Sequence, residues 1–232
     1  MAFQCGIVLQ ENHAPVLQTL LTGFGPFLSV VDNPSERLTH HFQAHPVSGH
    51  TLTTRILPVS FRDAPGIVQQ AIAAGGTEGR QFDLILMLGV AAKRPHWSVE
   101  CTGRNRSTTS VADAANSLWP YACIVGDAPE ILTATLPAEA LVSAIAAAGL
   151  PAIASEDAGD YLCNHLLFWT LSHLQARKHP ARAGFLHVPA DTATFAPDVV
   201  SDSIFTFQQH CAAVQAVLDA LTPSVGDHHV DL

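Results

Sequence analysis

Short apolar segments alternate with amphipathic segments along most of the chain. Apolar and β-branched runs that end near glycine or proline predict strands at 16–22, 51–59, 83–88, 151–154 and 184–188. Apolar residues at helical spacing predict one helix that starts at Asn33-Pro34, and others at 61–74, 137–148, 161–176 and 204–221. Strands that alternate with helices are typical of an α/β sandwich with a mostly parallel sheet.

The middle of the chain, 91–127, is polar and lacks this regular pattern. Only two short strands are predicted within it, at 97–101 and 121–125. No internal repeat is visible, and no linker rich in proline, glycine or serine divides the chain. We therefore expect one domain over residues 1–232, with 1–14 and 223–232 as a peripheral extension and tail.

The charge balance narrows the range of partners. Lysine and arginine total 11 against 20 aspartates and glutamates, which gives a formal net charge of −9. An acidic surface cannot replace the counterions of phosphates, so nucleic acid is not an expected partner. A hydrophobic fraction of 48% excludes a disordered chain.

Neither a membrane anchor nor a secretion signal is expected. The longest uncharged apolar stretch, 140–154, is interrupted by Gly149 and Pro151 and falls short of the roughly 20 residues that span a bilayer. The first 15 residues contain Glu11 and no basic cluster, unlike a signal peptide. No membrane partner is therefore predicted.

Cysteine and histidine spacing bears on compartment and metal binding. The cysteines are odd in number and contain no C-x-x-C pair: Cys5, Cys101, Cys123, Cys163 and Cys211. This argues against a disulfide framework and a zinc site, and favours a reducing, cytoplasmic location. The pairs His40-His41 and His228-His229 are interpreted as surface histidines, so neither pair is expected to bind a metal.

Three residues are candidates for chemistry. Cys163 falls in the first turn of a predicted helix, at its third position if Asp160 caps that helix, where free amides and the helix dipole favour a thiolate. His187 ends an apolar strand, the place where open α/β sheets bind ligands, and can serve a thiol as a base. Glu100 stands in an apolar segment and can orient an imidazole. Local sequence alone also allows a buried inert cysteine, a structural histidine and a solvated glutamate.

A glycine-rich loop follows the first predicted strand. Gly23-Phe-Gly-Pro-Phe27 resembles a phosphate-binding loop only loosely, because Leu28 replaces the third glycine and Pro26 lacks an amide hydrogen. Two phenylalanines at the carboxyl end of a strand can instead wall an apolar pocket for a flat small group.

Five segments with distinctive sequences follow one another along the chain. They are Thr22-Gly-Phe-Gly-Pro-Phe27 with Asn33-Pro-Ser35, Leu57-Pro-Val-Ser-Phe61, Ser98-Val-Glu100 with Asn105, Ala158-Gly-Asp-Tyr-Leu-Cys-Asn-His165 and Gly184-Phe-Leu-His-Val-Pro189. In this order they resemble the pyroglutamyl-peptidase I family of cysteine peptidases, and the resemblance covers about residues 20–189.

The resemblance implies a function and a site. It implies a single three-layer α/β/α sandwich with a mostly parallel, twisted mixed sheet, assembled as a dimer or tetramer and free of metal or organic cofactor. It implies removal of an N-terminal pyroglutamyl residue from peptides, with Cys163, His187 and Glu100 as nucleophile, base and orienting carboxylate. The implied substrate-binding residues are Phe24, Phe27, Val59, Val111, Tyr161 and Leu162.

The sequence also departs from the family pattern. Cys101 stands where the family usually has arginine after the glutamate, and Ser110 stands where a second arginine usually approaches the reacting carbonyl. Arg104 or Arg106 is an alternative source of that charge. A weakened relative that binds a lactam-like molecule, or a hydrolase of a related small amide, therefore stays open beside the active peptidase.

Overall fold

The structure is a computed structural model that describes residues 15–197, 199 and 205–223. Within these residues the regular elements alternate between strand and helix over most of the chain. In order they are β1 (Leu17–Phe24), α1 (Pro34–Ala44), β2 (His50–Leu57), α2 (Asp63–Ala74), β3 (Leu84–Val90), β4 (Trp97–Glu100), β5 (Thr102–Arg104), β6 (Ile131–Thr133), α3 (Ala138–Ala147), β7 (Ala152–Ser155), α4 (Leu162–Ala176), β8 (Arg182–Val188) and α5 (Phe207–Leu221).

Six strands form one mixed sheet in the order β2-β1-β3-β8-β4-β7. The first four of these run parallel to one another. β4 is antiparallel to β8 and parallel to β7, so the direction of the sheet reverses between β8 and β4. The predicted mostly parallel, mixed sheet is confirmed.

Helices cover both faces of this sheet. On one face α1, α3 and α5 bury Leu38, Ile145 and Val214 completely against the strands. On the other face α2 and α4 bury Val68 and Leu167 in the same way. All seven residues of β3 are buried, which explains why its sequence is a continuous apolar run. The three-layer α/β/α sandwich is confirmed.

One strand of the irregular middle pairs with a strand just after it, and the pattern predicted neither. Residues 121–125 form bends instead of the predicted strand, because the Asn105 side-chain oxygen accepts from the amides of Ile124 and Val125 at 2.8 and 2.9 Å. The strand that does form nearby is β6, which pairs antiparallel with β5. A side-chain amide thus takes the backbone donors that a sheet neighbour would need.

The last helix begins after a well-formed cap. The Thr206 side chain accepts from the Gln209 amide, and the Gln209 side chain accepts in return from the Thr206 amide. The predicted start at Ile204 lies outside the described residues, as do 1–14 and 224–232. The single-domain extent over 1–232 stays a prediction. No described helix is long and apolar enough to cross a membrane.

The glycine-rich segment after β1 meets α1 at very close range. A Cβ at Gly23 would lie 2.1 Å from the Ser35 carbonyl oxygen and 2.5 Å from Thr39 Oγ1. The Ser35 hydroxyl also accepts from the Phe24 amide at 3.0 Å, so strand and helix are bonded here. Gly23 is therefore required by the packing of α1 on β1.

Gly23→Ala is expected to destabilise the fold. The added methyl group meets backbone atoms that cannot rotate away, and overpacking of this kind costs about 1–3 kcal/mol. Gly25→Ala is the matched control, because its Cβ would meet nothing nearer than the Leu57 oxygen at 3.9 Å. Urea unfolding of the three proteins measures the difference, and equal losses in both variants would contradict this explanation of Gly23.

Candidate active site

Glu100 and His187 meet where the sheet changes direction. Glu100 lies opposite Phe185 in the antiparallel β4–β8 register, so His187 is its diagonal neighbour on the same face. His187 Nδ1 lies 2.7 Å from Glu100 Oε1, and the two residues are 4% and 1% exposed. With the carboxylate ionised, Nδ1 donates, which leaves Nε2 for another partner.

That other partner is Cys163. Its thiol lies close enough to the His187 ring to raise the pKa of that ring. Gly89, which pairs with His187 across β3 and β8, would bring a Cβ within 3.0 Å of Cys163 Sγ. The structure thus gathers the thiol, the imidazole and the carboxylate at the carboxyl ends of β3 and β8.

Cys163 lies at the second position of α4, one place earlier than expected. Asp160 does not cap this helix; Tyr161 occupies the N-cap, and the Asp160 carbonyl instead accepts from the Thr108 amide at 2.6 Å. The helical bonds begin with His165, whose amide donates to the Tyr161 carbonyl at 3.0 Å. The amides of Leu162, Cys163 and Asn164 therefore have no partner within the helix and can receive an oxyanion.

The charges of this cluster stabilise one another. Burial by itself would lower the pKa of His187, but the Cys163 thiolate and hydrogen bonds to Cys163 and Glu100 raise that pKa to about 9. Burial would raise the pKa of Glu100, yet the His187 hydrogen bond and charge, Ser155 and Arg94 lower it overall. The arrangement therefore favours an imidazolium on His187 next to an ionised Glu100 carboxylate.

Two residues next to the thiol, the imidazole and the carboxylate were not predicted from the sequence. Arg94, between β3 and β4, places Nη1 2.6 Å from Glu100 Oε1. Gly89 is the residue whose missing side chain makes room for the thiol and for the Phe185 ring. A basic residue just after a buried strand was the available signal for Arg94, whereas Gly89 depends on contacts across the sheet.

Several aromatic side chains pack in the same part of the apolar core as Cys163. The centroid of the Tyr161 ring is 6.4 Å from that of Phe27 and 5.5 Å from that of Phe61. The Tyr161 hydroxyl donates to the Ala112 carbonyl at 2.9 Å. The His165 ring contacts Trp119 edge-on at 4.6 Å. Phe61, Trp119 and His165 were not singled out from the sequence, although Phe61 stands in one of the segments that carry the family resemblance.

The other predicted pocket residues differ in exposure. Phe24, Val59 and Leu162 are at most 4% exposed and pack in the apolar core cluster beside the aromatic rings. Val111 is 42% exposed, on the loop before the buried Asp113. Asp113 accepts from the Phe61 amide at 3.1 Å, which holds this loop against the aromatic cluster.

The loop with the unusual sequence is fixed to α4. Asn164 bonds the backbone of Arg104 and Arg106 through three hydrogen bonds of 2.8–2.9 Å. The Arg104 guanidinium donates to the Glu156 carbonyl at 3.1 Å. Arg106 and Ser110 are exposed, and Ser110 Oγ lies 3.2 Å from Thr108 Oγ1. Within the described residues, no group of three or more histidines, cysteines or acidic residues is placed to hold a metal ion.

Gly89→Ala is expected to disturb the thiol and the fold together. The new methyl group would lie 2.7 Å from Phe185 Cζ and 3.0 Å from Cys163 Sγ, an overpacking that costs about 1–3 kcal/mol. Cys163 should then react more slowly with iodoacetamide, as followed by mass spectrometry. Gly66→Ala in α2 is the control, since apart from its chain neighbours and the backbone of its own helix no atom lies within 4 Å of its Cβ. Unchanged alkylation and stability in Gly89→Ala would show that this contact is wrong.

Removal of the thiol is expected to lower the pKa of His187 from about 9. The substitution removes the interactions with Cys163 that raise the pKa of His187, so deprotonation should occur at lower pH in Cys163→Ala. NMR titration of the ring measures the change. His165 serves as the internal reference, because burial lowers its pKa to about 4. A His187 pKa that stays the same without Cys163 would contradict the coupling.

The chain is similar to known peptidases over most of its length. The family model described as pyroglutamyl peptidase matches residues 17–223. A pyrrolidone-carboxylate peptidase of Streptomyces coelicolor is 36% identical over 186 residues, which are 80% of this chain and 81% of that protein. The enzyme of the same name from Mycobacterium marinum is 33% identical over 175 residues, covering 74% and 77% of the two chains.

Solved structures agree with these sequence matches. The pyrrolidone carboxyl peptidase of Thermococcus litoralis superposes with a TM-score of 0.80 at 26% identity, covering 88% of this chain and 92% of that one. The enzyme from Fervidobacterium islandicum shares the fold, with a TM-score of 0.81 at 24% identity over 88% and 98% of the chains. On its sequence and its fold, this chain belongs to the pyroglutamyl peptidase family of cysteine peptidases.

Proposed function

We propose that this chain removes an N-terminal pyroglutamyl residue from peptides, with Cys163 as nucleophile, His187 as acid and base, and Glu100 as the orienting carboxylate. The observation that carries the proposal is the buried Glu100–His187 pair beside a thiol in the first turn of a helix. Membership of the pyroglutamyl peptidase family supports the choice of substrate.

Acylation is the first half of the reaction. The Cys163 thiolate attacks the carbonyl carbon that joins the lactam ring to the next residue, a C–S bond forms, and the carbonyl π electrons move to oxygen. Free amides at the start of α4 stabilise that oxyanion. His187 then protonates the leaving amine, the C–N bond breaks, and the shortened peptide departs while pyroglutamate stays bound as a thioester.

Hydrolysis of the thioester completes the cycle. His187 takes a proton from water as the water oxygen attacks the thioester carbonyl, and the C–S bond then breaks. Free pyroglutamate leaves, and the sulfur and the imidazole return to their starting ion pair. Glu100 stabilises the imidazolium in both halves through its 2.7 Å bond to Nδ1.

Recognition of the lactam depends on an apolar, aromatic surface. Pyroglutamate is flat and carries no charge at its amino end, which suits the rings of Phe27 and Tyr161 beside the thiol. Phe24, Val59 and Leu162 pack in the same apolar cluster, and Val111 stands on the adjoining loop. We propose these residues as the substrate-binding set, with backbone groups reading the ring amide.

A slower enzyme of the same kind is the second candidate. Cys101 and Ser110 occupy positions where the family usually has arginine, and Arg104 donates to a backbone carbonyl instead. Loss of one oxyanion donor typically lowers turnover by roughly 10²–10³-fold, so the helix amides leave a measurable activity. Cytoplasmic location and a dimer or tetramer remain predictions for the cell and the solution state.

A fluorogenic pyroglutamyl amide tests the proposal directly. Wild type should hydrolyse it, and Cys163→Ala should lose about 10³-fold or more in kcat. Cys101→Ser is the matched control and should keep its activity, since burial, with the charge of Glu156, raises the pKa of the Cys101 thiol and makes it a poor nucleophile.

The corresponding prolyl amide tests the lactam. It retains the five-membered ring but lacks the ring carbonyl and carries a charged amine, so it should not be cleaved. Equal cleavage of both amides would point to a general small-amide hydrolase. No cleavage of either by wild type would contradict the proposed activity.

A further inference from the structure

Arg94 joins three parts of the active site that lie on different elements. It belongs to the turn after β3, where its amide donates to the Ala91 carbonyl at 2.9 Å. Nη1 lies 2.6 Å from Glu100 Oε1, and Nη2 donates to the Asp157 carbonyl at 2.6 Å. Its side chain is 28% exposed, while that of Glu100 is fully buried. The Arg94 side chain is therefore partly exposed, while its guanidinium forms an ion pair with a buried carboxylate.

The ion pair and the imidazole share a single carboxylate oxygen. Oε1 is 2.6 Å from Arg94 and 2.7 Å from His187, so its position is fixed from two sides. Ser155 of β7 also faces this carboxylate, and Cys101 lies next to it in sequence. Among the described residues, Arg94 makes the only lysine or arginine ion pair to Glu100.

The second bond of Arg94 reaches the segment that leads to the nucleophile. Asp157 lies between β7 and α4, six residues before Cys163. The segment turns locally through the Gly159 amide, which donates to Asp157 Oδ1 at 3.1 Å. A fixed Asp157 carbonyl therefore helps to set where α4 begins relative to Glu100.

We propose that Arg94 is a positioning residue, which orients the Glu100 carboxylate toward His187 and ties the segment before Cys163 to that pair. The inference rests on the proposed peptidase function and extends it, because Arg94 acts through Glu100 and not on the substrate. Planar guanidinium geometry is needed, since two nitrogens 2.6 Å from two different acceptors cannot be replaced by one ammonium nitrogen.

A buried carboxylate that loses its arginine becomes easier to protonate. Burial opposes the charge of Glu100, and Arg94 is one of the groups that keep its pKa low. A protonated Glu100 no longer balances the imidazolium of His187, so activity should fail at a higher pH than in wild type. A residue that only stabilised the fold would lower stability without moving this limit.

The test compares Arg94→Met, Arg94→Lys and Arg55→Met with wild type on the fluorogenic pyroglutamyl amide across pH. Arg94→Met should lose up to about 10²-fold in kcat, the effect of a small misplacement, with KM unchanged. The decline of its kcat on acidification, which is the acidic limb of the pH profile, should occur at a higher pH than in wild type. Arg94→Lys should keep the wild-type limb and part of kcat. Arg55→Met removes an exposed guanidinium that bonds its neighbour's carbonyl and should behave as wild type.

A second comparison in the same experiment uses Glu100→Gln. If Arg94 acts through Glu100, Arg94→Met should cause little further loss in the Glu100→Gln background. The same variants are compared by the pH dependence of Cys163 alkylation, which needs no turnover and so separates this inference from the proposed activity. Should Arg94→Met fail to fold, Arg94→Lys alone and in the Glu100→Gln background completes the comparison.

Three results would overturn the positioning role. One is an unchanged kcat and acidic limb in Arg94→Met. Another is a lower kcat with an unmoved limb and a lower melting temperature, which marks a purely structural residue. The third is full additivity with Glu100→Gln. Absence of turnover in wild type would instead contradict the proposed function, while the shift of the alkylation limb would still decide the role of Arg94.

Discussion

The buried bond between Glu100 and His187 is the interaction on which the site depends. A carboxylate that is 1% exposed needs partners of opposite charge, and the sheet supplies them by placing an antiparallel strand next to the last parallel one. The reversal between β8 and β4 makes the two residues diagonal neighbours on one face. Had β4 run parallel to β8, this register would be lost.

Cys163 is brought to that pair by a different part of the fold. Cys163 stands in the first turn of α4, where the helix dipole favours negative charge. Gly89 leaves the space between β3 and the thiol, while Phe185 fills the remainder. Thiol, imidazole and carboxylate thus come from a helix end and from strands that only tertiary packing can align.

Much of this was open to sequence analysis, because apolar periodicity is local. The buried run of β3 and the strand that carries His187 can each be predicted from a few adjacent residues. Family segments then supplied the candidate roles, including that of Glu100, which local sequence left undecided. The alternation of strands and helices led directly to the layered architecture.

What the sequence did not disclose depends on contacts between distant residues. The strand predicted at 121–125 fails because Asn105, far back along the chain, takes its amides. Tyr161 and not Asp160 occupies the N-cap of α4, and the Asp160 carbonyl accepts from the amide of Thr108. The importance of Arg94 is visible only from its contacts with Glu100, at the end of β4, and with Asp157, just after β7. No short-range sequence pattern predicts these contacts between distant residues.

The most direct test of the whole account is labelling with a pyroglutamyl chloromethyl ketone, which needs lactam recognition and an activated thiol at once. The account predicts one adduct per chain, at Cys163, with slower labelling in His187→Ala and Glu100→Gln and none by the prolyl reagent. Mass spectrometry of the digested protein locates the adduct. Labelling spread over several cysteines, or equally fast in the three proteins, would contradict it.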